Sequence, residues 1–398
     1  MLEYWVWLSQ LKLSLSQKHR LLWMFGDPRE VHRTSEAALE GKEGVTDRML
    51  EALEDRDLTR AQQIIKECRA KGIGVIGMDD VAYPPRLRNI SDAPLVLYFK
   101  GKLPDWDRQP MIGIVGTRRA SDYGLRTARR FGAHIASCGA MVISGGAAGV
   151  DTCAMQGALR VGKPVVGVLG CGVDVVYPSE NAGLFNKVIE DGCLISEYPP
   201  RTRGSKWTFP ARNRIISGIC NALVVVEAPE QSGSLNTARH ALTQGRDVFV
   251  VPGNVDVETF SGSNLLLREG AVPVINGWDV LRDYAPLWEG VLSCQPEPAL
   301  EDLLQPAPEQ MPKSASRRRS ADKKAIDKEE DSTYSVLNVQ GLSAQEQQLL
   351  ELVQGGTDLM DQLAAQLKMN AGALKMTVTK LSVKGLVQML PGGRVKLK

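Results

Sequence analysis

Within the twelve residues WTFPARNRIISG (207–218), the chain places Trp207, Phe209, Arg212 and Arg214, with Lys206 just before them. The stretch is too charged for a buried core strand and has no nucleophile beside a base. Flat rings among cations suit a ligand that offers both stacking surface and negative charge, as a single nucleic-acid strand does: bases stack on rings and phosphates sit on charge. Arg212 and Arg214 are two positions apart, which separates them by about 200° on a helix. One then faces the ligand while the other pairs with a carboxylate such as Asp174 or Glu197. Lys206, Trp207 and Phe209 lead into this helix, and Pro210 suits its first turn. The bland alternative is a core Phe209 flanked by surface ion pairs.

Glycine-rich turns point the same way. Short β-branched runs at 74–77, 95–99, 112–116, 141–144, 164–170, 194–196, 222–227, 247–253 and 272–275 alternate with helical segments such as GLRTARRFGAHIASCG and SLNTARHALTQG. Several runs are continuously apolar, so both faces of the sheet they form are covered; the expectation is α/β, a parallel sheet with helices on both sides. Ligands of such sheets bind at the carboxyl ends of the strands. There the chain has Gly116-Thr117-Arg118-Arg119, then Ser144-Gly145-Gly146, then Gly170-Cys171-Gly172, and after the 222–227 run Ser232-Gly233-Ser234. Glycine lets backbone N–H groups approach a ligand, and a following helix adds its positive end. Four such turns on one edge predict an anion cradle. Neither GxGxxG with an acid about 20 residues on nor GxxxxGK[ST] is present, so neither nucleotide fingerprint fits and a phosphodiester chain becomes the better ligand.

The bulk numbers bound the rest. The chain has 398 residues, 43% hydrophobic, with a net charge of only +2, so any basic surface is local. Seven scattered cysteines without a CxxC pair, and four separated histidines, predict no metal site and no cofactor, and suit a reducing cytosol. No apolar run reaches 18 residues, so the expectation is a soluble, cytoplasmic protein with no membrane partner. Residues 1–70 read as a small all-α module of the SAM or helix-hairpin kind and 71–290 as the α/β domain. Residues 291–340, rich in proline and charge, read as a disordered linker. Residues 341–398 read as three helices and a hairpin turning at Pro391-Gly392-Gly393, the winged-helix plan, with Lys375, Lys380, Lys384, Arg394 and Lys396 on a basic side. A winged helix of this kind suits either duplex DNA or a protein partner.

From Gly74 to Val274 the chain resembles the DprA/Smf family. The resemblance is carried by YPPRLRNI (83–90), GIVGTRRAS (113–121), GVLGCGVDVVYP (167–178), ISEYPP (195–200), FPARNRIISG (209–218), SGSLNTA (232–238), GRDVFVVPGN (245–254) and GSNLLLREGA (262–271). It implies an extended Rossmann-like core that is not an enzyme. Such a core binds single-stranded DNA without sequence preference, forms a homodimer, displaces single-strand-binding protein and loads RecA recombinase during natural transformation. Carried onto this chain, the DNA contacts are Gly116, Thr117, Arg118, Arg119, Ser144, Gly145, Gly146, Lys206, Phe209, Arg212, Asn213, Ser232, Gly233, Ser234 and Arg246. The dimer surface is Leu265, Leu266, Leu267 and Val272; by spacing alone the leucines equally suit a core.

The chain departs from the family pattern at Ala148, where an arginine is common, and at Met155, Thr208 and Asn236. Ala148 removes one cation from the expected pocket: either affinity falls or Arg119 and Arg212 compensate, and if the arginine of relatives is only structural the replacement matters little. The alternative function is a nucleoside-phosphate hydrolase of the lysine-decarboxylase-like type. Its PGGxGTxxE signature is matched here only by QSGSLNTARH, with His240 where the acid would stand, leaving Asp151 or Glu227 as a base without an evident partner.

Overall fold

In a computed structural model the described residues are 1–304 apart from 36, 37 and 40, and, further on, 344–354, 360–367, 369, 374, 377–378, 381, 386–390 and 394–397. By contact the chain divides into two units, Met1–Gln310 and Met311–Lys398.

The first unit opens with five helices, α1 (Leu2–Gln10), α2 (Leu15–Phe25), α3 (Pro28–Arg33), α4 (Asp47–Glu54) and α5 (Thr59–Ala70). The short α3, six residues long, starts on an Asp27 cap, with Pro28 in its first turn. There follow β1 (Gly74–Gly77), α6 (Pro85–Arg88), β2 (Val96–Gly101), β3 (Met111–Val115), α7 (Asp122–Ser137), β4 (Met141–Ser144), α8 (Val150–Arg160) and β5 (Val165–Val168). Next come α9 (Ala182–Asp191), β6 (Cys193–Ser196), α10 (Thr208–Ile219), β7 (Ala222–Val225), α11 (Gly233–Thr243), β8 (Asp247–Val250), α12 (Ser261–Arg268), β9 (Val272–Pro273), α13 (Gly277–Leu281) and α14 (Leu300–Leu304).

Every apolar run singled out in the sequence becomes a strand of one nine-stranded sheet, ordered β1-β2-β6-β5-β4-β3-β7-β8-β9. From β6 to β9 all pairings are parallel; at the other edge β2 runs antiparallel to β6 and β1 antiparallel to β2. The sheet is thus mostly, not wholly, parallel.

Alternate strand residues feed two cores. Ile112, Ile114, Val142 and Val224 face α7, α8 and α9, while Met111, Val115, Ile143 and Val225 face α10 and α11. Between α7 and α8 the backbones touch: a Cβ at Gly132 would strike the Ala154 carbonyl, and one at Gly157 the Arg129 carbonyl. The helical module is not a separate core. Trp5, Val6, Leu8, Leu21 and Cys68 join the first of these clusters beside Leu95, Val96 and Tyr98.

Residues 291–304 of the expected linker have contacts within the first unit. Leu292 and Leu303 are buried, the Ser293 N–H donates to Cys138 O, and Arg130 pairs with Glu297 at 2.9 Å. Residues 305–340 of the expected linker lie outside the described residues.

In the second unit, α15 (Ala344–Gln354) and α16 (Met360–Gln366) share a core of Leu349, Leu363, Leu374, Val378 and Leu381. Val387 and Val395, from the antiparallel hairpin β10 (Val387–Leu390) and β11 (Arg394–Leu397), complete that core. Most of the expected third helix, 371–385, and the Pro391-Gly392-Gly393 turn lie outside the described residues.

Because α7 and α8 meet backbone to backbone, Gly157→Ala forces them apart. It is expected to cost about 1–3 kcal/mol and to lower the thermal midpoint measured by calorimetry by several degrees. An unchanged midpoint would show that this contact tolerates an extra methyl group.

Candidate nucleic-acid interface

The strand order puts β3 beside β7 while the segments that follow them leave on opposite faces, α7 over one core and α11 over the other. Such a divergence opens a crevice at the carboxyl ends of the two strands. A cavity of about 440 Å³ lies there. It is lined from β3 by Val115 to Arg119, from the β7 turn by Pro229 and Gln231 to Ser234, and from the start of α10 by Lys206, Phe209, Pro210, Arg212 and Asn213.

Each element is locked by short-range chemistry. Thr117 N–H donates to Glu227 O at 2.7 Å, which ties the β3 turn to the β7 turn. A Cβ at Gly116 would strike Val150 and the same carbonyl, so glycine is required for this close approach. Glu227 is fully buried and its carboxylate accepts the Ser121 N–H and hydroxyl. The Ser232 hydroxyl caps α11 by accepting the Ser234 N–H, and Asn213 Nδ2 donates to Gly233 O at 3.1 Å, joining α10 to α11. α10 starts at Thr208 rather than Pro210, because the Ser205 hydroxyl accepts the Trp207 and Thr208 N–H groups and Thr208 Oγ1 accepts the Ser205 N–H. Thr208, a departure from the family pattern, thus serves as a turn former. Phe209 consequently sits inside the first turn of the helix.

The lining holds four cations, Arg118, Arg119, Lys206 and Arg212, against one carboxylate, Asp151. Arg118, Arg119 and Lys206 are exposed. Arg212 is only 4% exposed, and its Nη1 donates to Gly145 O and Val168 O. It therefore clamps the ends of β4 and β5, and the expectation that it substitutes for a missing surface cation is corrected. Burial pushes the Asp151 carboxyl up, opposed by the Arg212 charge and by the Gly145 and Ala147 N–H groups. Arg214 is the carboxylate-paired member of the two, forked onto Glu197 at 2.9 and 2.6 Å; Asp174 is taken instead by Lys71.

The predicted contacts do not all converge. Gly116, Thr117, Arg118, Arg119, Lys206, Phe209, Arg212, Asn213, Ser232, Gly233 and Ser234 do. Ser144 is buried with its hydroxyl donated to Ile114 O; Gly146 is buried against Phe185; Gly145 is buried under Arg212. Ser144 and Gly146 line neither pocket and Gly145 only a side pocket, because these residues fold back on Ile114, Asp151 and Asn181; of this turn, Ala147 is the residue that reaches the main cavity. The turn at Gly170-Cys171 lines only a side pocket of about 50 Å³ beside Ala148, Tyr177 and Phe209. Arg246 precedes β8, at the amino ends of the strands, and donates to Arg86 O and Gly218 O; it is a structural residue remote from the crevice. The four-turn cradle is therefore two turns and a helix start, with the β4 turn adding Ala147 and Asp151 to the lining.

Tyr177 is the residue that sequence reading missed. Its ring centroid lies 4.9 Å from that of Phe209, at 31° between planes. On the ring of Phe209 lies the Arg118 guanidinium, 5.2 Å from the centroid. Phe209 is thus hemmed in by Tyr177, Gly170, Gly204 and Arg118 and holds the arginine at the pocket mouth. The only sequence signal for Tyr177 was its place in the GVLGCGVDVVYP block.

On the expected dimer surface, Leu266 belongs to the core and Leu267 packs against it; Leu265 is half-buried, and Val272, on edge strand β9, is exposed. Leu266 is accordingly removed from that surface.

The family model described as DNA recombination-mediator protein A matches residues 74–285, and that of the DprA winged helix domain matches 337–393. Protein Smf of Synechocystis is 36% identical over 278 residues, 69% of this chain and 70% of its own length. The DNA processing protein DprA of Bacillus subtilis is 36% identical over 221 residues, 56% of this chain and 74% of its own. Among solved structures, DprA from Streptococcus pneumoniae superposes with a TM-score of 0.63 at 31% identity, covering 71% of this chain and 98% of that one. DNA processing protein A from Helicobacter pylori, solved for its single-stranded DNA binding mode, gives 0.50 at 27% identity, covering 55% and 97%. Sequence blocks, sheet and winged helix agree: the chain belongs to the DNA recombination-mediator protein A, or DprA/Smf, family.

Proposed function

We propose that this protein binds single-stranded DNA without regard to sequence at the crevice between β3 and β7. The observation that carries the reading is the set of three exposed cations, Arg118, Arg119 and Lys206, around a pocket whose floor is the capped start of α11. Point charges and helix N–H groups recognise phosphates and not base edges, which gives affinity without sequence choice. The Helicobacter pylori relative, solved for its single-stranded DNA binding mode, supports the same assignment. As the family resemblance implies, the bound strand is then handed to RecA recombinase, with single-strand-binding protein displaced. The acting form is a homodimer joined near β9, where Val272 rather than Leu266 is available.

Hydrolysis of nucleoside phosphates fits the geometry less well. Glu227 is held by Ser121, Asp151 by two backbone N–H groups, and His240 lines a different cleft with Lys18 and Glu197. Among the described residues that line the pocket the one carboxylate, Asp151, is already engaged by backbone N–H groups.

Arg118→Ala and Lys206→Ala are each expected to weaken oligonucleotide binding equally for all sequences and to reduce the slope of log affinity against log salt by about one. Loss for one sequence only would mean base reading. Because the helical module shares the sheet's core, residues 1–310 rather than 71–290 are the fragment expected to keep single-strand binding when 311–398 are removed. Electrophoretic mobility shifts of that fragment check this, and loss of all binding would move the activity to the winged helix.

A further inference from the structure

Trp207 is the residue of the opening motif that the pocket does not absorb. It is 74% exposed, the largest aromatic exposure next to the site, although burial is the usual state of so large a ring. Its backbone is not loose: it is the N-terminal cap position of α10, and its N–H donates to the Ser205 hydroxyl at 3.3 Å. Lys206, which lines the pocket, carries its Nζ 5.0 Å from the indole centroid. One cation therefore joins the pocket to the exposed ring. Arg203, also exposed, lies three residues before Lys206 on the same segment. The inner rings offer less: Phe209 is covered by Arg118 and by its packing on Tyr177, Gly170 and Gly204. An exposed indole with a lysine over one face is an arrangement on which a nucleobase stacks from the other side while its phosphate meets the cation.

We propose that Trp207 is a base-stacking platform outside the pocket, so that the strand held at Arg118 and Arg119 continues over Lys206 and lays a base on the indole. This rests on the single-strand reading above and extends it from a phosphate pocket to a track with a second, base-binding station. It also accounts for why rings and charge are interleaved at 206–209: Phe209 supports the inner cation and Trp207 receives the base.

The chain contains its own control. Trp23 on α2 is 81% exposed and has Arg20 6.0 Å from its ring, but it lies in the helical module and lines none of the pocket. The full chain and its Trp207→Ala, Trp207→Phe and Trp23→Phe variants are titrated with oligo-dT, reading anisotropy of the labelled DNA and intrinsic tryptophan fluorescence. Trp207→Ala is expected to weaken binding roughly five- to a hundredfold, the equivalent of one stacked base, while Trp207→Phe stays within about threefold of the parent chain. Trp207→Phe should also lose most of the DNA-induced quenching that Trp23→Phe retains. Unchanged affinity in Trp207→Ala overturns the platform while leaving the pocket intact. A loss of affinity in that variant with quenching unchanged in Trp207→Phe overturns it too, since the indole then touches no base. Failure of the parent chain to bind oligo-dT at all overturns the single-strand reading itself.

Discussion

The site depends on one topological constraint: β3 and β7 are neighbours whose chains depart to opposite faces of the sheet. A parallel sheet covered on both sides leaves no open surface except at strand ends, and only where the winding direction reverses do two successive loops part instead of packing together. At this point the bond from Thr117 N–H to Glu227 O fixes the spacing of the two turns, and Glu227 in turn holds Ser121 at the start of α7. Gly124 is small for the same reason, since a Cβ there would strike the Glu227 carboxylate. Glu227 thus looks like a catalytic base in the sequence, but its hydrogen bonds give it a structural role.

A second layer is the division of labour among arginines. Arg212 and Arg214 leave α10 on different sides and both are buried, one on strand-end carbonyls and one on Glu197. Burying a guanidinium is costly unless its donors are satisfied, and here they anchor α10 between the two halves of the sheet. The cations left at the surface, Arg118, Arg119 and Lys206, come from a turn and the segment leading into α10, where they are exposed around the cavity. Ala148 lies exposed beside Tyr177 and Phe209 in the side pocket, so a longer residue there would project at the rim near Arg118. Ala148 adds no charge at this rim, and of Arg119 and Arg212 only Arg119 is exposed.

Much of this was legible in the sequence. Unbroken apolar runs such as ALVVVE and MVIS become strands because both faces of the sheet need apolar cover, and Trp207, Phe209 and Lys206 stand out because no core explains them. What could not be read was contact between distant segments. The turn at 144–146 resembles the one at 116–119 in composition, and only the inward pull of Asp151 and Asn181 separates a pocket wall from a pocket lining. Arg246 sits in a family block, but its position before β8 sends it to the opposite edge of the sheet. Tyr177 carries no local signal, since its role comes from Phe209, which reaches it across 31 residues of chain. The antiparallel β1 and β2 were invisible for the same reason: a short apolar run gives a strand and not its direction.

The most direct test of the central claim, that strand ends of a twisted sheet hold a single nucleic-acid chain by its backbone, is a fluorescence-anisotropy titration of the full-length protein at two salt concentrations. Labelled oligo-dT and a blunt duplex of equal length serve as ligands. Tight binding to oligo-dT that weakens steeply as salt rises, with the duplex clearly inferior, is the predicted result. Equal or better binding to the duplex, or an affinity for oligo-dT indifferent to salt, would contradict it.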